Sequence, residues 1–302
     1  MTVGLQWKPV TEDEDIGVVA LSGVVASSRL DAGLEALLSS GHRVLEAPNV
    51  RERSASGYLA GEDSRRLEGL RWLLERGTRT LMAARGGYGA ARLLSNLPWS
   101  VMVERGVTFV GFSDLTAILN PLIARGGAVQ VHGPMAAVGL EHSHNLERLL
   151  RVLRGDLVGK TLFRFRQSQV VRPGTARGHA IGGNLTVLCS LIGTPYEPPW
   201  DDGVLFIEEV GEPMYRLDRL LTHLRGSGRL RNVKALISGS LRGCRPATGR
   251  TSLWGRMLEE TAPARAPVVV GLPFGHGARN DAFPLGATVE IDTGSGQISW
   301  RS

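Results

Sequence analysis

Apolar and polar positions alternate along the first half of the chain in a pattern that predicts strands and helices in turn. Short apolar runs predict strands, and apolar residues three or four positions apart predict the helices between them. The predicted strands cover residues 16–21, 42–45, 78–83, 108–112 and 129–132, and the predicted helices cover 29–38, 63–75, 115–122 and 145–153. Strands that alternate with helices form a parallel sheet covered by helices, with ligand sites beyond the carboxyl ends of the strands. The pattern therefore predicts an α/β fold with a Rossmann-like (flavodoxin-like) N-terminal domain.

The pattern changes near residue 155. Residues 155–174 mix basic with apolar positions, as strands that cross at a domain junction do. Beyond them the sequence predicts a helix over 185–192, a strand over 203–207, a helix over 214–224 and a strand over 267–271. We therefore expect two domains, residues 1–155 and 156–302, of which the second is a smaller α/β domain with a β-rich core.

Composition excludes several classes of protein. The 302 residues carry a net charge of +6, but the arginines are interspersed with acids and form no unbroken basic run, which disfavours nucleic acid and leaves an anionic small ligand open. Cys189 and Cys244 lack CxxC spacing, so a reduced compartment fits better than a disulfide framework. No apolar window reaches the ~18 residues of a membrane span. The cytoplasm is the expected location, without a membrane partner.

The stretch 108–127 predicts a strand, a sharp corner at Ser113 and Asp114, and a helix. Parallel-sheet enzymes place a nucleophile on such a corner, where the helix N-terminus points its free N–H groups at developing negative charge. Ser113 is therefore a candidate nucleophile. The sequence Gly-Phe-Ser-Asp-Leu lacks the second glycine of the usual elbow, and a serine at this junction also serves as a helix N-cap. Both interpretations stay open from this stretch alone.

The turn Arg85-Gly86-Gly87-Tyr88-Gly89 follows the third predicted strand. It is a poor dinucleotide fingerprint, because the spacing is not G-x-G-x-x-G and no acidic ribose partner follows at the expected distance. It is compatible with a plain turn, since glycine supplies backbone freedom. It is also compatible with a site where bare N–H groups approach a substrate oxygen opposite Ser113.

An acid and a base are sought among residues later in the chain. Adjacent strand residues point to opposite faces, so Glu208 and Glu209 cannot both reach one site, and an alternative pairs one of them with Arg216. His276 lies between two glycines on a loop after a strand, which allows close approach to another element and makes it the best candidate base. No pair of the seven histidines has convincing metal spacing, so neither a metal nor a cofactor is expected.

Several motifs together resemble the LD-carboxypeptidase family of serine peptidases, which includes the microcin C immunity proteins. The motifs occur in order at residues 85–89, 111–114, 182–185, 206–209 with 215–219, and 275–277. The resemblance covers nearly the whole chain and implies a Ser-His-Glu triad, with Ser113 as nucleophile, His276 as general base and Glu208 as the acid. It also implies an oxyanion hole from the backbone N–H groups of Gly87 and Asp114.

The resemblance further implies a substrate, a cytoplasmic muropeptide tetrapeptide whose terminal D-alanine is removed after the L-centre of a diamino acid, and a homodimer. The small peptide carries a free carboxylate, for which Arg85 is a candidate ligand. One departure concerns residues 20–24, Ala-Leu-Ser-Gly-Val, where the family has Ala-Pro-Ser-Gly-Pro. The missing prolines affect the substrate assignment more than the chemistry.

Two other functions remain open from the sequence. The first is a microcin-immunity-like hydrolase of aminoacyl or peptidyl nucleotide amides, for which Trp200 or Trp254 would have to offer a platform for a base. The second is a non-catalytic protein that binds anionic ligands on its basic surface, with the three triad residues unaligned.

Overall fold

The structure is a computed structural model that describes residues 5, 7–11, 14–244 and 251–301. The first half of the chain contains five parallel strands, β1 to β5, and five α-helices, α1 to α5, within the described residues. The strands are β1 (Ile16–Val19), β2 (Val44–Glu46), β3 (Thr80–Ala83), β4 (Thr108–Gly111) and β5 (Gln130–His132). The helices are α1 (Ser27–Ser39), α2 (Asp63–Glu75), α3 (Trp99–Glu104), α4 (Thr116–Ala124) and α5 (Ser143–Leu153).

The parallel strands lie in the order β2-β1-β3-β4-β5, which is the flavodoxin-like order. Strands β1, β3, β4 and β5 are buried on both faces, as expected for a sheet covered by helices on its two sides. The predicted α/β class with a flavodoxin-like N-terminal region is therefore confirmed. The order also fixes the place of a ligand site, because the loops after β1 and β3 diverge at the point where the strand order reverses.

The second half of the chain, over its described residues, adds strands β6 to β14 and helices α6 to α8. The strands are β6 (Thr161–Arg164), β7 (Val170–Arg172), β8 (Thr175–Asn184), β9 (Gly203–Val210), β10 (Ala235–Arg242), β11 (Val268–Val269), β12 (Phe283–Leu285), β13 (Thr288–Asp292) and β14 (Gln297–Trp300). The helices are α6 (Leu185–Leu191), α7 (Met214–Gly226) and α8 (Thr251–Thr261). Eight of these strands form a mixed sheet in the order β6-β14-β13-β8-β9-β10-β11-β7.

Strand β12 leaves the second half of the chain and pairs antiparallel with β5 at the edge of the first sheet. The division into domains 1–155 and 156–302 stays a prediction, and its two end segments, 1–4 and 302, lie outside the described residues. The segment between β11 and β12, which carries His276, runs from the second sheet to the first. It is thereby held at both of its ends by strand pairing.

An aromatic cluster joins the two sheets next to this segment. Phe206 of β9, Phe274 before His276 and Phe283 of β12 are fully buried, with ring centroids 4.7 to 5.7 Å apart. Fully burying one such side chain stabilises a fold by about 1.5–3 kcal/mol. The cluster therefore fixes the position of the His276 loop against both sheets.

Cys189 and Cys244 are both free and buried. In the described part of the chain, no helix combines the length and the apolar composition needed to cross a membrane.

Candidate active site

Ser113 lies immediately beyond β4, at the corner where the chain turns into a short 3₁₀ turn and then α4. Its φ of 61° lies in the left-handed region, which a residue with a side chain rarely adopts and which costs about 1–3 kcal/mol. Ser113 is the first residue of the 3₁₀ turn, whose N-cap is Phe112, and the N-cap of α4 is Leu115, so the N-cap interpretation is wrong. The hydroxyl oxygen instead lies 3.2 Å from Nε2 of His276.

The other ring nitrogen of His276 contacts Glu208. His276 Nδ1 lies 2.6 Å from Glu208 Oε2, and the carboxyl group is 0% exposed at the end of β9. An ionised carboxylate only accepts, so it holds the proton on Nδ1 and leaves Nε2 free to accept from the Ser113 hydroxyl. Burial raises the pKa of Glu208, although the bond to His276 opposes this shift. The three side chains therefore form one chain of hydrogen bonds.

Glycine next to His276 makes this approach possible. A Cβ atom on Gly275 would lie 2.6 Å from Glu208 Oε2, and the φ of Gly275 is +94°. Asn280 Oδ1 accepts from the Gly275 N–H at 2.9 Å, and Asn145 Oδ1 at the start of α5 accepts from the Asn280 N–H at 2.9 Å. The predicted close approach at this glycine is confirmed, and the loop is anchored to the first half of the chain.

The glycine turn after β3 packs closely against Ser113. A Cβ atom on Gly86 would lie 3.0 Å from the Ser113 Cβ, so a side chain there would crowd the nucleophile. Gly87 adopts a φ of 111°, which favours glycine. The Gly86 carbonyl accepts from the Gly23 N–H at 3.1 Å, so the turn also contacts the loop after β1. These contacts support the third interpretation of the turn, in which bare backbone approaches the reacting group.

The Asp114 side chain holds these loops together. Its Oδ2 atom accepts from the Ser22 hydroxyl at 2.6 Å and from the Ala90 N–H at 2.8 Å. The carboxyl is 5% exposed, and burial raises its pKa. Sequence reasoning set the Asp114 carboxylate aside as the triad acid, because it adjoins Ser113, and did not identify its bonds to Ser22 and Ala90. A signal was available in residues 20–24. They keep the family's serine, as Ser22, although both prolines of the family's motif are absent.

Arg85, the candidate carboxylate ligand, is an exposed residue at the start of the glycine turn. Its Nη1 donates to the Val24 carbonyl at 2.6 Å, so part of the guanidinium already binds the loop after β1. The Arg85 side chain as a whole is exposed. The contact to Val24 supports a structural role, and the role of Arg85 in binding substrate stays a prediction.

Glu209 points away from Glu208, as strand alternation predicted. Its carboxylate is 3% exposed and accepts four hydrogen bonds from three residues. The donors are Asn184 Nδ2 at 2.7 Å, Thr186 N at 2.9 Å, Thr186 Oγ1 at 2.7 Å and Val210 N at 2.9 Å. The interpretation that pairs one of the two glutamates with Arg216 is wrong, because Arg216 binds Glu212 at 3.2 Å. Glu209 thus stabilises the start of α6.

Replacing Glu209 with glutamine is expected to destabilise the protein without removing its chemistry. One carboxylate oxygen becomes an NH₂ group, so two of the four donors lose their acceptor, at a cost of about 2–3 kcal/mol in the free energy of unfolding. Chemical denaturation monitored by circular dichroism measures this change. Glu212→Gln is the matched control, because it alters a surface ion pair worth less than about 1 kcal/mol. Equal stability of the two variants would contradict this role of Glu209.

The two tryptophans considered as platforms are packed. Trp200 is 7% exposed with Nε1 donating to Glu197 Oε2 at 2.9 Å, and Trp254 is 5% exposed with Nε1 donating to Ser238 Oγ at 2.8 Å. Neither ring presents a free face of the kind that stacking on a base requires. No His, Cys, Asp and Glu side chains in the described ranges gather into a group of three that could hold a metal.

A serine, a histidine and a buried carboxylate in hydrogen-bonded order on an α/β scaffold are typical of serine hydrolases. Comparison with known proteins specifies the family. Residues 16–133 match the LD-carboxypeptidase N-terminal domain, and residues 177–291 match the LD-carboxypeptidase C-terminal domain. The murein tetrapeptide carboxypeptidase of Pseudomonas aeruginosa is 32% identical to this chain, over 95% of each protein. The chain therefore belongs to the LD-carboxypeptidase family, as the motifs predicted, and is a serine-type carboxypeptidase.

Two solved structures share this architecture. The muramoyltetrapeptide carboxypeptidase of Oxalobacter formigenes superposes with a TM-score of 0.77 at 27% identity, covering 95% of this chain and 97% of that one. The microcin C7 self-immunity protein MccF, in complex with glutamyl sulfamoyl guanosine, superposes with a TM-score of 0.87 at 20% identity, covering 99% of this chain and 98% of that one. The second likeness shows the fold alone.

Proposed function

We propose that this protein hydrolyses the bond between an L-diamino acid and the terminal D-alanine of murein tetrapeptides, in cytoplasmic recycling of cell-wall peptides. The observation that carries the proposal is the hydrogen-bonded order of Ser113, His276 and Glu208, with separations of 3.2 and 2.6 Å. The name of the Pseudomonas aeruginosa relative supports the choice of murein peptide. The reaction requires no metal in this scheme, because the serine supplies the nucleophile.

In the acylation step, the Ser113 hydroxyl oxygen attacks the carbonyl carbon of the diamino acid while His276 Nε2 takes the hydroxyl proton. Glu208 stabilises the imidazolium through Nδ1. The backbone N–H groups of Gly87 and Asp114 donate to the oxygen that becomes negative. The C–N bond then breaks, and His276 returns the proton to the leaving amine, so that free D-alanine departs and an ester to Ser113 remains.

In the deacylation step, a water molecule takes the place of the departed amine. His276 Nε2 removes a proton from this water as its oxygen attacks the ester carbonyl carbon. Collapse of the second tetrahedral adduct breaks the bond to the Ser113 oxygen, which regains its proton from His276. The products are the tripeptide with a free carboxylate and the restored enzyme.

Mass spectrometry of products tests the proposal. Purified protein is incubated with tetrapeptides ending in L-lysyl-D-alanine or in diaminopimelyl-D-alanine, and with the matched peptide that ends in L-alanine. We expect loss of one alanine from the D-alanine peptides at a rate at least roughly 100-fold above that from the L-alanine control. Equal cleavage of both stereoisomers, or none of either, would contradict the proposal. Light scattering of the same preparation checks the homodimer, which stays a prediction.

The microcin-immunity-like function has less support in this chain. The fold is shared with MccF, but Trp200 and Trp254, the residues considered for stacking a base, are buried. An aminoacyl sulfamoyl adenylate offered in the same assay separates the two activities. A purely ligand-binding role is disfavoured by the aligned triad, since such a protein has no need of a strained serine within reach of a histidine.

A further inference from the structure

A cavity of about 540 Å³ opens beside the imidazole of His276. Phe112 and His276 form its inner wall, with their rings in edge contact at 4.8 Å between centroids. The segment 136–139, the start of α1, the end of β10, Glu141, His142 and the loop around His276 also line it. The backbone of this segment is fixed, because the Ala136 and Ala137 N–H groups donate to the carbonyls of Ala83 and Ala84 at 3.0 and 2.9 Å. The cavity therefore has a rigid floor at the carboxyl end of the first sheet.

Two arginines bring positive charge to this cavity. Arg29 of α1 and Arg242 at the end of β10 both line it, and both are exposed. Across the described ranges, no carboxylate forms an ion pair with either guanidinium. Glu141, which also lines the cavity, is already held by the Gly139 N–H at 2.7 Å. Arg242 Nη1 donates to the His276 carbonyl at 3.3 Å, which leaves its other N–H groups for a ligand.

The proton transfer in the proposed mechanism indicates which part of the substrate this cavity receives. His276 returns a proton to the leaving amine, so the leaving amino acid must lie on the imidazole side of Ser113. The glycine turn with Gly87 and Arg85, which faces the developing oxyanion, does not contribute to the lining of this cavity. A carboxypeptidase has to recognise the free carboxylate of the leaving residue, which an endopeptidase never meets. Arginine is suited to this ligand because its planar donors match a carboxylate.

We propose that this cavity is the subsite for the leaving amino acid, and that Arg242, with Arg29 at the rim, binds its free α-carboxylate. This inference rests on the proposed peptidase function and deepens it. Arg242 is a specificity-determining residue here, since it selects substrates that end in a carboxylate one residue beyond the cleaved bond. The assignment replaces Arg85, whose Nη1 is bonded to Val24, as the main ligand of that group.

A pair of substrates isolates this contact. The tetrapeptide ending in D-alanine is compared with the same peptide ending in D-alaninamide, for wild type, Arg242→Gln, Arg85→Gln and the exposed control Arg231→Gln. We expect wild type to prefer the acid, and Arg242→Gln to lose about 10- to 100-fold in kcat/KM on the acid, chiefly through KM, with the amide unaffected. Arg231→Gln should retain the wild-type preference. If Arg242→Gln lowered both substrates equally, or if only Arg85→Gln lost the preference, the assignment would be overturned.

Calorimetric binding of the same two peptides keeps the subsite distinguishable from the chemistry. Ser113→Ala protein is titrated with the acid and the amide, with and without Arg242→Gln. Tighter binding of the acid that depends on Arg242 supports the subsite, even if wild type hydrolyses neither peptide and the proposed function fails. Equal binding of acid and amide to Ser113→Ala, with turnover of both by wild type, overturns the subsite and leaves the peptidase function standing.

Discussion

Replacing Ser113 with alanine is expected to lower kcat/KM for the D-alanine tetrapeptide by about 10⁴- to 10⁶-fold while the protein stays folded. The change removes the only atom that forms the acyl bond in the proposed mechanism. The Cβ atom at this position is retained, so the packing against Gly86 does not change. Product analysis by mass spectrometry measures the rate, and thermal unfolding confirms that the fold is intact.

Two further variants make this prediction specific to a triad. His276→Ala is expected to have a comparable effect, and the double variant is expected to be no worse than either, because residues that act as one unit fail together. Ser240→Ala is the matched control, since Ser240 lies near Gly277 and, among the described residues, has no hydrogen bond to Ser113. Additive losses in the double variant, or full turnover by Ser113→Ala, would rule out the serine mechanism.

Local sequence signals predicted the elements that carry the site. The apolar pattern of residues 108–127 predicts both the strand that ends before Ser113 and the helix after it, so β4 and α4 were predictable. Glycines beside His276 indicated close approach, and Gly275 indeed packs against Glu208. Strand alternation predicted that only one of Glu208 and Glu209 reaches the site. The choice of Glu208 came from family resemblance, because parity alone does not say which face is which.

Contacts between distant residues could not be predicted in the same way. The bond between Asn145 and Asn280 joins positions 135 apart, and nothing in either local sequence indicates the partner. The return of β12 to pair with β5 has the same character, since a short apolar strand does not indicate which sheet it completes. The bonds of the Asp114 carboxylate to Ser22 and Ala90 were not predicted, because an acid beside a nucleophile has an ordinary role at a helix start. In all three examples the partners are distant in the sequence, and only the tertiary fold brings them together.

Stability and chemistry oppose each other at this site. Ser113 is held at a φ of 61°, and Glu208 is buried with one oxygen that has no hydrogen-bond partner among the described residues. Each feature raises the free energy of the folded state. The aromatic cluster around Phe274 and Phe283 offsets these costs in the same region, because its burial fixes the loop that presents His276. Removing the buried carboxylate should therefore separate activity from stability.

Replacing Glu208 with glutamine is expected to lower kcat about 10³- to 10⁴-fold, because an amide does not hold the His276 tautomer that accepts from Ser113. The same variant is expected to be more stable than wild type at neutral pH. Burial raises the pKa of Glu208 above its ordinary value of 4.5. Below that value the carboxyl is protonated in both the folded and the unfolded state, and it contributes no difference.

The pH dependence of stability checks this argument. As pH rises from 4.5 toward the raised pKa, the unfolded carboxyl ionises first, so the folded state binds more protons and the wild-type free energy of unfolding falls. Above the raised pKa the cost is constant. Glu208→Gln has no such titration, so its stability advantage should appear above pH 4.5, grow with pH and then level off. Denaturation curves from pH 4 to 8 measure it, beside Glu290→Gln, which alters a surface pair with Arg301. A glutamine variant that is less stable than wild type throughout this range would show that the carboxylate stabilises the fold, and that burial is not the dominant effect.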